Sequence, residues 1–371
     1  MSAPALPVRF GLIGAGGISR RHRDGFVARP DLARLVAVCD ARPEVAQTFA
    51  DSLPEPADVY TDHRRLLESG TIDAAIVALP HFLHASVATD VVAAGIPVLV
   101  EKPLTCTLDE TRQLRDLATA HGVPVVAGQM RRFNREAVWL RRWLDADPRH
   151  FGELRSFDIH SWQNLVGYLV GVLGLPPGGD HWLLDGERAG GGVVISLVVH
   201  QLDLVRFVTG RDYAEVMAHG QFDAPFYNGA ESSAVVLLRM DNGAAGALHA
   251  NYLTPRTPYN EAMHLFGEHG TIVQHADAIG QYHGPLRFAS AVPGGMTTWA
   301  QMYESLVLVP AHEVADLDDD PFVNQLAAFA LALHEGRKPA NHVDDNFNTM
   351  ASIQAITDSL RSGKPEPVAA H

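Results

Sequence analysis

A chain of 371 residues is longer than the roughly 250–300 at which a single hydrophobic core stops growing, so two or three domains are expected. Hydrophobic residues make up 47% and charged residues 19%, a globular balance that excludes extended disorder. A net charge of -14, with no local run of Lys and Arg, excludes a nucleic-acid surface.

The N-terminus, "MSAPALPVRFGLIG", has no basic stretch followed by a signal-type apolar core, so no export signal is read here. The apolar tract Leu165 to Leu175 is closed by Pro176-Pro177. It falls far short of the roughly 20 residues of a membrane span and reads as a buried helix or lining loop, with no membrane as partner. The two cysteines, Cys39 and Cys106, are too few for a disulfide framework and lack metal-ligand spacing. A reducing, cytoplasmic setting and no metal are the expectation.

"VRFGLIGAGGISRRH" runs from a β-type segment, Val8 to Ile13, through Gly14-Ala15-Gly16-Gly17 and Ile18 into a helix. This is the context that a dinucleotide fingerprint requires. Gly14 permits a tight turn, and Gly16 lets backbone approach a pyrophosphate seated on the helix N-terminus; Ser19 fills the third small position. Glycines also simply make turns, so the motif gains weight from a second strand, "LVAVCD", ending in Asp40 about 20 residues on. An acidic side chain there accepts bonds from ribose hydroxyls and repels a 2′-phosphate, favouring NAD. Arg42 could neutralise that phosphate and keeps NADP possible.

Strands and helices then alternate through "IDAAIVALP", "HFLHASVATDVVAAG", "PVLVEKP", "LDETRQLRDLATAHG" and "VPVVAGQM", which predicts a doubly wound parallel sheet with its ligand at the carboxyl strand ends. At those ends stand Leu79, Pro80, His81 and His84, then Glu101 and Lys102, then Gln129 and Arg131. Lys102 directly follows the apolar run "IPVLV", a poor place for a merely solvated lysine. Further on, "AGGGVVISLVVHQLD" reads as a helix starting after Gly192, with Ser196, His200 and Asp203 at i, i+4 and i+7 on one face. An apolar helix is buried, so this stripe faces something polar: either core partners or a functional cleft.

These segments together resemble the Gfo/Idh/MocA family of nicotinamide-dependent sugar and inositol oxidoreductases. The resemblance rests on "GLIGAGGIS", "ALPHFLH" against the family's T-P-N-x-x-H, "EKP", "GQMRRFN", "GGGVVISLVVHQLD" and the closing "DDNFNTMASIQAITDSLRSGKPEPV". It implies an α/β fold: an N-terminal Rossmann domain over 1–130, then a C-terminal α/β domain over 131–371 with a large open, mostly antiparallel sheet. The final helix would pack back towards the first domain, and substrate would lie between the two.

A homo-oligomer, dimer or tetramer, is implied as well. The cofactor-binding set becomes Gly14, Gly16, Gly17, Ile18, Asp40, Arg42, Leu79, Pro80, His81, His84, Glu101, Lys102 and Gln129. Lys102 and His200 become the catalytic pair at the substrate carbinol, His200 as acid/base and Lys102 polarising the oxygen. Arg131, Trp162, Asn164, Trp182 and Ser196 are substrate-contact candidates.

One departure stands out: the family's aspartate four residues before the histidine is Ser196 here. The aromatic residues Tyr168, Tyr282 and Trp299 lie in segments outside the family pattern. The expected reaction is hydride transfer between NAD or NADP and a secondary alcohol of a sugar, glycoside or cyclitol. Its rivals are an NAD-dependent glycoside hydrolase or lyase working by transient oxidation, and a non-catalytic dinucleotide-binding regulator.

Overall fold

In a computed structural model of the chain, the described residues are 3–171, 174, 181–222, 224, 227–252, 259–276, 286–290, 307–308 and 311–370. The chain divides into two compact units. One comprises Met1–Met130, Arg188–Gly190 and Asp320–Met350; the other comprises Arg131–Glu187, Gly191–Asp319 and Ala351–His371.

The first unit alternates β1 (Val8–Ile13), α1 (Ser19–Ala28), β2 (Ala33–Cys39), α2 (Pro43–Asp51), β3 (Asp58–Tyr60), α3 (His63–Glu68), β4 (Ala74–Val77), α4 (His84–Ala93), β5 (Val98–Glu101), α5 (Leu108–His121) and β6 (Val125–Gly128). The near-continuous apolar runs of β1, β4 and β5 are buried, as strands covered on both faces must be. They pair in parallel in the order β3-β2-β1-β4-β5-β6, with the order reversing at β1/β4 as in a doubly wound sheet. Short helix stops and starts are written locally: Thr107 and Glu110 form a capping box at α5, and Gly122 closes it at φ 62°. Residues 320–350 return to this unit. Within α10 (Pro321–His334), Phe329 packs on Phe10 at 5.9 Å between ring centroids, and Phe322 meets the edge of His22 at 5.2 Å.

The second unit is built on a nine-stranded sheet. Its strands are β7 (Leu154–Trp162), β8 (Tyr213–Gln221), β9 (Ser233–Met240), β10 (Ala245–Asn251), β11 (Asn260–Gly267), β12 (Gly270–Ala276), β13 (Leu286–Ser290), β14 (Val307–Leu308) and β15 (Glu366–Pro367), in the order β14-β13-β12-β11-β7-β10-β9-β8-β15. Every pairing is antiparallel except β7 with β10, so the expected mostly antiparallel sheet is present. Burial alternates along β9: Ala234, Val236 and Leu238 point inward, whereas Val235 and Leu237 are more than half exposed on the outer face.

The helices of this unit are α6 (Arg135–Ala146), α7 (Leu165–Gly171), α8 (Gly186–Ala189, at the boundary of the units) and α9 (Val199–Thr209); α11 (Val343–Ser362) runs through the second boundary. The tract at Leu165 is thus a helix over its described part. Among the described residues one helical stretch, 186–209, is long and apolar enough to cross a membrane; 89% of its most apolar window is buried inside the protein, which makes it a core helix. Cys39 and Cys106 are free thiols, and burial pushes each up to about 12.

Candidate active site

The turn between β1 and α1 is shaped by glycine. Gly14 sits at φ 96°, and a Cβ there would lie 2.3 Å from the carbonyl oxygen of Ala78. Only glycine fits. Its N–H donates to Cys39 O at 2.8 Å, and Ser19 Oγ donates to Gly14 O at 2.7 Å, which fixes the turn to β2 and to the helix start. A Cβ on Gly16, by contrast, would meet nothing within 4 Å: this side of the turn is open.

No side chain caps α1, and its first turn carries no acidic residue. Its leading N–H groups, with those of Gly17 and Ile18, can therefore take an anion. Asp40 closes the seat. Its carboxylate accepts from Ala15 N and Arg42 N, each at 3.0 Å, and from Arg42 Nε at 3.3 Å. Burial alone would raise its pKa, but these N–H groups and the Arg42 charge outweigh that and hold it below the usual carboxylate range.

The strand ends beyond β4 and β5 are tied to one another. His84 is fully buried; its Nδ1 lies 2.7 Å from Pro103 O and its Nε2 2.8 Å from Leu79 O. Both carbonyls only accept and a neutral imidazole carries one N–H, so His84 donates to one of them at a time and sits between the two loops. Glu101 also bonds within the protein. Its Oε1 meets His22 Nε2 at 2.8 Å and its Oε2 accepts Lys102 N at 3.1 Å, so it anchors the strand end to α1.

His81 bonds Ala189 O through Nδ1 at 2.9 Å, and a carbonyl only accepts, so Nδ1 carries the proton. Burial first, then the charges of His84 and Lys102, keep this imidazole well below its ordinary pKa and neutral. Lys102 is half-buried, and its peptide bond to Pro103 is cis. Gln129, at the end of β6, is 1% exposed, and among the described residues its amide has no hydrogen-bond partner. A buried orphan amide at a strand end is what a bound ligand would satisfy. The open side at Gly16, the uncapped helix and Gln129 together fit a dinucleotide.

In the second unit the helix bearing His200 does not begin as a regular α-helix. Residues Val194–Val198 form a π-turn, with Val199 N bonding Val194 O, before α9 takes over. The α-helical i, i+4 spacing expected from Ser196 to His200 is therefore interrupted, although both are buried. Asp203 is not part of a polar cleft: its carboxylate accepts two N–H bonds from Arg132, at 2.5 and 2.7 Å, in a pair almost wholly buried. Tyr227 is a buried phenol whose pKa is raised by burial first and then by the charge of Glu231.

Residues 8–129 match the description "Oxidoreductase family, NAD-binding Rossmann fold", and residues 140–273 match the GFO/IDH/MocA C-terminal domain. Myo-inositol dehydrogenase Hyg17 of Streptomyces leeuwenhoekii is 31% identical over 244 residues, which cover 64% of this chain and 68% of that protein. The chain belongs to the Gfo/Idh/MocA family. The scyllo-inositol 2-dehydrogenase (NAD(+)) of Bacillus subtilis is 25% identical over 365 residues, 96% of this chain and 95% of that one. The WlbA dehydrogenase of Bordetella pertussis, crystallised with NADH and UDP-GlcNAcA, has the same fold: its TM-score is 0.81 over 98% of each chain, at 22% identity. The first unit is thus the NAD-binding Rossmann domain of a Gfo/Idh/MocA oxidoreductase.

Within this Gfo/Idh/MocA chain several substrate candidates have other work. Arg131 is buried and bonds Glu261 and Tyr259; that guanidinium is a core cation. Glu261 also accepts from Gln201 Nε2 at 3.0 Å and from Ser161 Oγ at 3.2 Å, which places α9 on the Ser161 face of β7. Trp162, one residue on, points to the opposite face by the pleat, where it stacks on His160 at 4.6 Å. Asn164 accepts from Gly167 N at 2.9 Å and caps α7. Trp182 is half-buried beside His181, at 5.4 Å between ring centroids. Tyr282 and Trp299 lie outside the described residues.

One residue that sequence reading passed over is Glu231. Its side chain is almost fully buried and accepts from Gly192 N at 2.9 Å and Val194 N at 3.0 Å. The signal was available: "NGAESSAVV" sets a single acid against the start of a half-buried strand.

Proposed function

We propose that the protein transfers a hydride between NAD and a secondary alcohol of a sugar, glycoside or cyclitol, with Lys102 and His200 serving the same carbinol. The observation that carries this reading is the place of Lys102, half-buried directly after the fully buried β5, at the carboxyl end of the sheet that binds NAD. Burial keeps His81 and His84 below the ordinary imidazole range, and the nearby Lys102 charge acts in the same direction. In its charged state Lys102 polarises the carbinol oxygen and stabilises alkoxide charge as it develops. His200 takes the hydroxyl proton in oxidation and returns it in reduction, an imidazole being the side chain that titrates near neutral pH.

Bound NAD supplies the hydride chemistry itself. Gly14, Gly16, Gly17 and Ile18 would hold its pyrophosphate, and Gln129 would meet a polar group further along. Asp40 retains lone pairs for ribose hydroxyls beyond its three N–H bonds, which supports NAD over NADP. The myo- and scyllo-inositol dehydrogenases among the relatives support a cyclitol or sugar as substrate. A homo-oligomer belongs to the same proposal, supported by the exposed Val235 and Leu237 on the outer sheet face; light scattering on the purified protein tests it.

The reaction is tested with a panel of sugars, glycosides and inositols against NAD and NADP, following both reduced cofactor and released aglycone. Reduced cofactor accumulating with a polyol is the expected result. Aglycone release without net reduction would replace this reading with transient oxidation and elimination.

A further inference from the structure

Three consecutive backbone N–H groups, those of Gly192, Val193 and Val194, all end on one residue. Gly192 N donates to Glu231 Oε2 at 2.9 Å, Val193 N to the main-chain oxygen of Glu231 at 3.0 Å, and Val194 N to Glu231 Oε1 at 3.0 Å. The approach is so close that a Cβ on Gly192 would fall 1.9 Å from that main-chain oxygen, which is why the third glycine of the run must be glycine. These are N–H groups that the start of a helix leaves without intrahelical partners, and a carboxylate is their strongest acceptor. Immediately after them comes the π-turn Val194–Val198, and then His200.

A π-turn holds one residue more than an α-turn and relaxes to α-helix unless something fixes it. Such relaxation turns the residues on its two sides relative to each other by roughly 100°, one residue's worth of helix. We infer that Glu231 is the positioning residue for His200: by grasping 192–194 it pins the start of the helix, keeps the π-turn, and so sets the direction in which Ser196 and His200 face. Glu231 touches neither reacting atom. Its effect is on how often His200 is aimed correctly, so it belongs to turnover and not to cofactor affinity. The inference rests on the reading of His200 as the acid/base group.

The test uses the full chain carrying Glu231→Gln, Glu231→Asp or His200→Ala, with NAD and the alcohol that the panel above finds best. Glu231→Gln is close in size but cannot accept at both oxygens. It is expected to lower kcat about 10- to 100-fold, with KM and the NAD dissociation constant, read from fluorescence quenching, within about threefold of wild type. Glu231→Asp, charged but shorter, should fall between the two and supplies the measurement if the glutamine variant fails to fold. The His200 ring Cε1–H resonance, identified by its loss in His200→Ala, should move in Glu231→Gln.

Wild-type kcat in Glu231→Gln alongside an inactive His200→Ala overturns the positioning role alone. A raised KM at unchanged kcat, or weakened NAD binding in step with kcat, overturns it too. A fully active His200→Ala overturns the reading beneath it.

Discussion

Around the fingerprint turn every deciding contact has a backbone group on at least one side and stays within 25 residues of sequence: Gly14 N to Cys39 O, Ser19 Oγ to Gly14 O, Ala15 N to the Asp40 carboxylate. Around His200 they are made by buried charged side chains whose partners lie far away in the chain. Arg132 and Asp203 are 71 residues apart, Arg131 and Glu261 are 130 apart, and Glu231 reaches back 39 residues to Gly192. The first arrangement is cheap to encode, because a few glycines and one acid suffice for a ligand part that is the same in every turnover. The second would tie the orientation of the proposed acid/base group to the integrity of a whole sheet-and-helix layer. Substitutions should therefore act differently in the two regions: near the turn on NAD binding, and near His200 on turnover and stability.

The largest effect should come from His200→Ala and Lys102→Ala. Each is expected to lower kcat by about 10²–10⁴ while NAD affinity and the melting temperature stay near wild type. A sharp loss of melting temperature in His200→Ala, with the folded fraction still active, would make that histidine a core residue and collapse the contrast. Next, Arg132→Ala leaves Asp203 as a buried uncompensated charge and should cost about 3–5 kcal/mol in urea unfolding, whereas the paired Arg132→Met/Asp203→Leu replacement should recover most of it. NAD binding to the first unit provides the control.

Gly14→Ala tests the other side. A side chain at φ 96° and against Ala78 O should weaken NAD binding at least about 10-fold, measured by titration, with kcat at saturating NAD far less affected. The smallest effect should be at Asp40, whose pKa is held below that of an unfolded aspartate. Its stabilisation is present above the ordinary carboxylate range, about 3.9, and is lost as pH falls through that range towards the folded value. Melting temperature should thus drop slightly more steeply on acidification in wild type than in Asp40→Asn, by about 2 °C or less.

The parallel sheet and its fingerprint were legible because each rests on local pattern: alternating strands and helices, glycines where φ turns positive, and an acid at the end of the second strand. A residue type at a strand end is legible too, but its direction is not. His84 and Glu101 stand where a cofactor contact is expected and yet turn inward, towards Pro103 and Leu79 in one case and His22 in the other. The partner of Arg131 was not legible either, since the buried acid that pairs with it comes from β11, beyond any spacing rule. The π-turn left a trace: "VVISLVV" is crowded with β-branched residues, which strain a regular helix. Trp162 shows how a one-residue shift along a strand exchanges the core face for the outer one.

The two thiols have a practical consequence. With Cys39 and Cys106 both pushed up to about 12, the reactive thiolate is scarce at neutral pH, so oxidants and alkylating reagents find little to attack. A cysteine introduced at an exposed position, such as Arg42→Cys beside the dinucleotide seat, can then be labelled selectively without removing the native pair. A single dye at residue 42 would sit beside the dinucleotide seat and report NAD arrival by fluorescence, with the Arg42–Asp40 bond given up.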